Sequence, residues 1–219
     1  MKTLKISFIL LFISLSFTLS AQDSAYYKVM EKALKMMQEN NGLEEKQKTA
    51  NLFDRISEKE SNEWLPLYYS GLTYVYLSFS DSLDLNQRDN YLAKAKERAN
   101  KAAELSENNV EITVLLGYID MARLSADPGS RGQALSPLVM QNFGKALDMD
   151  PTNPRALAMM ARMEMGMAQF FGSGTEKACG LATLSLSSYA KETDTGIQPS
   201  WGNGIAQQLV NSCEKQNKQ

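Results

Sequence analysis

The sequence predicts an all-α protein, an array of antiparallel helix hairpins closed by a capping helix at the C-terminal end. Three observations predict it. Apolar residues recur at helical spacing along nearly the whole chain, and the strict alternation that marks half-buried strands is almost absent. Clusters rich in Gly, Pro, Asn and Asp punctuate that pattern. The helices also come in pairs at a persistent spacing. Phe53, Ala99, Phe143 and Ala182 mark the second helix of successive pairs, at intervals of 46, 44 and 39 residues. Trp64, Val110 and Pro154 open the first helices, at intervals of 46 and 44.

The chain opens on a pattern of export. Lys2 and Lys5 precede an apolar run from Ile6 to Leu19, and Ser20 and Ala21 supply the small residues of a cleavage site. Residues 1–21 are expected to be a signal peptide and residues 22–219 one helical-repeat domain. The run is short for a membrane span, and no further long apolar stretch follows. The mature chain is therefore expected to be a soluble periplasmic or extracellular protein without a membrane span.

The first hairpin is expected at about 24–62. Tyr27, Met30, Leu34 and Met37 follow helical spacing, the cluster ENNGL turns the chain, and a second helix carries Leu43, Gln47, Ala50, Phe53 and Ile56. The second hairpin, about 64–107, starts at Trp64, with Pro66 tolerated in the first turn because its missing N–H had no helical partner. A break at SDSLDLNQRDN leads to Leu92, Ala95, Ala99 and Ala102 on one face. The third, about 110–150, runs from Val110 to Ser125, through a Gly/Pro-rich loop ADPGSRGQALSP, to Leu138, Val139, Phe143, Ala146 and Leu147. The fourth, about 154–192, turns at FGSGT. A capping helix is expected at about 203–215.

Composition narrows the chemistry. The 219 residues contain no histidine and carry a formal charge of −2. Ser-His-Asp and Cys-His machinery and His-ligated metal are thereby excluded. No basic footprint for nucleic acid is present. Charge runs such as Glu58–Lys59–Glu60 read as solvated helix faces. FGSGTEK lacks the spacing and the preceding strand of a phosphate loop. Met159, Met163 and Met167 follow helical spacing; thioethers can bind Cu(I), but Met at core spacing is expected to fill the core. No catalytic residue, metal site or cofactor is expected.

The segment FGKALDMDPTNPRAL, Phe143 to Leu157, resembles the junction between two tetratricopeptide repeats, with Phe143, Ala146 and Pro151 at the family's large, small and helix-stopping positions. Leu67, Ser70, Gly71 and Tyr74 resemble the first-helix pattern, and Leu116–Gly117 repeats its Leu-Gly pair. The resemblance covers roughly residues 24–192 and implies a right-handed superhelical array. The repeats exceed the family's roughly 34 residues. The surplus lies inside the hairpins, at 78–90, 125–136 and 170–175.

In such arrays the first helices line a concave binding face. The resemblance places Leu65, Tyr68, Leu72 and Tyr76 there, then Glu111, Tyr118 and Met121, then Arg155, Arg162 and Met165. Tyr, Met and Arg suit a partner-binding groove, whereas packing between helices is the alternative for the tyrosines. Cys179 and Cys213 are the two cysteines; a disulfide tying the cap to the array is expected, against two buried thiols. The functional expectation is a non-catalytic scaffold holding a protein or peptide. The alternative is a carrier of a small apolar ligand or lipid, for which the Met/Phe-rich segment 159–171 would form a pocket.

Overall fold

The computed structural model describes residues 25–39, 42–193 and 196–216. The expected signal peptide lies outside the described residues. Nine helices account for the secondary structure of the described residues, with no strand among them. They are α1 (25–39), α2 (Leu43–Lys59), α3 (Trp64–Ser78), α4 (Leu85–Leu105), α5 (Val110–Ala126), α6 (Pro128–Met149), α7 (Pro154–Phe171), α8 (Glu176–Tyr189) and α9 (Asn203–Gln216).

Two kinds of helix build the array. α3, α5 and α7 are buried on most sides, and each contacts the next, so they form the inner layer. Each packs against the following helix, α4, α6 or α8, which is buried along one stripe only. The stripes mix small and large apolar residues: Leu92, Ala95, Ala99 and Ala102 on α4, Val139, Phe143 and Ala146 on α6. Small residues let paired helices approach closely. At Gly117 an added Cβ would come within 2.5 Å of Phe143 Cε1, so the glycine is the seat of that ring.

The starts of α4, α5, α6 and α7 follow from local capping chemistry. Asn109 Oδ1 accepts from the Glu111 and Ile112 amides, and Asn153 Oδ1 accepts from the Ala156 amide. Asp84 and Gln87 form a reciprocal capping box that starts α4 earlier than the turn cluster suggests. A larger difference concerns ADPGSRGQALSP. It is helical from Pro128 onward, because Asp127 caps the helix and Pro128 occupies its first position. Pro137 then lies inside α6.

Charged staples join neighbouring hairpins. Asp54 on α2 accepts from Ser70 and Tyr74 on α3 and from Arg98 Nε on α4 at 2.7 Å. Asp89 pairs with Arg131 at 2.6 Å, and Asp120 holds Lys96 and Asn142. Arg155 is buried and donates to both Glu111 and Glu192 at 2.7 Å. Burial alone would drive its guanidinium down, but the two carboxylates outweigh burial and hold it well above its ordinary value.

The C-terminal cap is bonded covalently. Cys179 on α8 and Cys213 on α9 form a disulfide with Cα atoms 5.8 Å apart. Closing a 34-residue loop contributes about 3–4 kcal/mol. Beneath it, Met165, Ala178 and Leu209 form a small apolar cluster.

Candidate functional site

The inner face of the array divides into two halves. The half nearer the N-terminal ends of α3 and α7 is covered by the chain itself, through residues 196–201. Tyr69 donates to the Ile197 carbonyl at 2.9 Å, Trp201 Nε1 donates to the Tyr68 hydroxyl at 2.7 Å, and Tyr189 donates to the Trp201 carbonyl at 2.8 Å. The Trp201 ring stacks on Tyr118, with centroids 5.5 Å apart. Gly202 permits this crossing. Its φ of +102° suits glycine, and a Cβ there would collide with the Tyr189 hydroxyl.

The other half holds a cavity of about 1000 Å³. Four elements wall it. α5 contributes Met121, Leu124 and Ser125 from its last turns. α6 contributes its first half, from Pro128 through Gly132 and Pro137 to Met140. α7 contributes Arg162, Met163, Met165, Gly166, Met167 and the pair Phe170–Phe171. Leu209 closes one side from α9. Phe170 and Phe171 are 77% and 72% exposed, and their rings meet edge to face. Two such rings in solvent leave apolar area that a ligand would cover.

Glycine shapes the walls. An added Cβ at Gly132 or Gly166 meets nothing within 4 Å. Neither glycine is required by packing within the chain, and each leaves a flat patch of helix facing the cavity. Polar groups are few: Ser125, Ser136, Gln133, Gln169 and the single charge of Arg162. A large apolar cavity with few polar groups is the usual form of a small-molecule site.

The residues expected to line a groove separate accordingly. Met121, Arg162 and Met165 line the cavity. Leu65, Tyr68 and Leu72 are buried in the core, and Tyr76 packs against it. Glu111 and Arg155 are engaged with each other, and Tyr118 lies under Trp201. Burial pushes the hydroxyls of Tyr68, Tyr69, Tyr76 and Tyr118 upward, so these tyrosines stay neutral hydrogen-bonding groups. Met159 is fully buried in the core, so the stripe Met159–Met163–Met167 does not face one space. No group of three or more Cys, Asp or Glu suited to a metal ion occurs among the described residues.

Sequence reasoning missed the α6 wall, because its Gly and Pro residues read as loop. It also missed Phe170 and Phe171 as individual site residues, although two adjacent aromatics ending a helix beside a glycine turn were a usable signal.

Fold and cavity together define a class, a helical-hairpin array with an apolar cavity that opens to solvent at Phe170 and Phe171. Its fold is similar to a solved structure, the HusA haemophore from Porphyromonas gingivalis, with a TM-score of 0.78 and 28% identity over 89% of this chain and 96% of that one. No protein-family model and no curated protein matches the sequence. The likeness to a haemophore corrects the expectation of a protein-binding scaffold. The physical reason is visible in the fold: much of the face a peptide would occupy is covered by residues 196–201.

Proposed function

We propose that this chain is a non-catalytic carrier that takes haem, or a porphyrin of that kind, into the cavity between α5, α6 and α7. The cavity carries the reading: about 1000 Å³, walled by thioethers, prolines, flat glycine patches and two exposed phenylalanines. That volume is at the upper end of small-molecule sites and suits a broad, flat, apolar ligand. The likeness to a haemophore over most of both chains supports the same cargo. Because the lining is mostly apolar, contact with the ring supplies most of the affinity. Export fits this role and is supported by the basic and apolar start of the sequence and by the Cys179–Cys213 disulfide. The array is assigned as a divergent relative of tetratricopeptide repeats on the strength of Phe143, Ala146, Pro151 and the Gly71 and Gly117 positions.

Titration of the purified protein with haemin, followed by the porphyrin absorbance band, tests the proposal. Saturable binding that falls in a Phe170→Ser/Phe171→Ser double variant is the expected result. Absence of any saturable change, together with native mass spectra free of adducts, would overturn it.

A further inference from the structure

Resting on the carrier reading, we infer that Arg162 selects ligands that bear a carboxylate and fixes which end of the ligand lies at the Tyr118 end of the cavity. Arg162 is the one charged residue among those lining the cavity. Its neighbours in the lining are apolar or uncharged, so it has no competitor for an anionic group.

Its surroundings differ from those of the chain's other structural arginines. Arg98, Arg131 and Arg155 each have a carboxylate within 2.7 Å. Among the described residues, no carboxylate lies within ion-pair distance of Arg162, and its side chain is exposed. It is nonetheless placed. It lies beside the Tyr118 hydroxyl, where its positive charge opposes the upward push of burial on that phenol. Tyr118 is in turn fixed by the stacked Trp201 ring. An available cation on a rigid aromatic support at the edge of an apolar cavity is built to receive an anion from outside the chain.

Helix geometry gives the direction. Arg162, Gly166 and Phe170 are spaced i, i+4, i+8 along α7, all exposed. They form one face about 12 Å long at about 1.5 Å per residue. A carboxylate held at Arg162 lays the apolar body across the flat patch at Gly166 and brings its far edge to Phe170 and Phe171. The acidic end then sits next to the Tyr118–Trp201 stack, and the apolar end lies at the exposed rings. Porphyrins that carry propionates match this division of polarity; their esters do not.

The test compares protoporphyrin IX with its dimethyl ester, which keeps the ring and removes both charges. Each is titrated into the full chain and into Arg162→Gln and Arg162→Lys variants, with circular dichroism confirming an unchanged helical fold. The native chain is expected to prefer the acid by about ten- to a hundredfold, the range of one charge-assisted contact. Arg162→Gln should lower affinity for the acid to that for the ester and leave the ester unchanged. Arg162→Lys should keep part of the preference. Equal binding of acid and ester by the native chain would overturn the role of Arg162 and leave the carrier reading standing. So would an equal loss of both ligands in Arg162→Gln. Failure of the native chain to bind either porphyrin would overturn both.

Discussion

Replacing Gly166 by leucine should fill the proposed site without damaging the fold. Gly166 lies inside α7 and lines the cavity, and a Cβ there meets nothing within 4 Å. Leucine, with its Cβ in open space, should therefore gain up to about 1 kcal/mol in helix propensity. For a domain of this size the melting temperature should rise by about 1–3 °C. The ligand loses its flat wall. If its face is held off about 100 Å² of apolar contact, at about 25 cal/mol per Å², the loss is about 2.5 kcal/mol, or nearly a hundredfold in Kd. Gly144→Leu is the control. It also lies in a helix with open space at its Cβ, but outside the cavity lining. Both variants should be stabilised in a thermal melt, and only Gly166→Leu should weaken haemin binding. Unchanged affinity in a well-folded Gly166→Leu variant would refute the placement of the ligand. A marked fall in melting temperature would refute the reading of Gly166 as free of packing duty.

Other predictions concern the frame of the site. Asp54→Ala strands Ser70, Tyr74 and Arg98 and should cost about 2–4 kcal/mol in chemical denaturation; a loss below about 1 kcal/mol would mean that solvent screens the cluster. Asp54 is held below its ordinary value: burial pushes it up, but Arg98, Ser70 and Tyr74 outweigh that. Its contribution is present at neutral pH and is lost as pH falls below about 4 through the lowered folded value, so Asp54→Asn should flatten the acid limb of a stability–pH curve. Cys179→Ser/Cys213→Ser should lose about 3–4 kcal/mol of stability. It should also weaken haemin binding, because Met165 and Leu209 line the cavity beside that bridge. Gly117→Ala should destabilise by about 1–3 kcal/mol through the Phe143 ring, whereas Gly180→Ala, with open space at its Cβ, should not, and paired thermal melts distinguish them.

Much of the frame was legible because its signals are local. Helical spacing of Ala95, Ala99 and Ala102, Phe143 followed by Ala146, and the Asn and Asp caps each act within a few residues. The cysteine pair was legible through compartment and count, and the bridge is present. The site was less so. Concave-face positions inferred by resemblance assume an open inner face, and nothing local to Tyr68 or Tyr118 reveals that Trp201, 133 residues beyond Tyr68, will cover them. The α6 start failed for the opposite reason. Its Gly and Pro content favours a loop by composition, but the Asp127 cap and Pro128 at the first helical position outweigh that bias.

The departures from the repeat pattern are what make room for the cavity. A short-looped hairpin array leaves its inner face open along its whole length. Here residues 196–201 cover Tyr68, Tyr69 and Tyr118, and the cavity lies between α5, α6 and α7, away from that cover. The walls of that space draw on two of the three surplus segments. Ser125, Pro128, Gly129, Gly132, Gln133 and Ser136 lie in 125–136, and Phe170 and Phe171 in 170–175. Shortening α6 to an ordinary repeat would remove its wall while sparing Phe143 and Ala146, which hold the hairpin together farther along the same helix. Frame and cavity therefore occupy separate stretches of one helix, and the first can tolerate change in the second. The same separation explains why a repeat pattern can be read through Phe143–Leu157 while the cavity lies among residues that fit the pattern least.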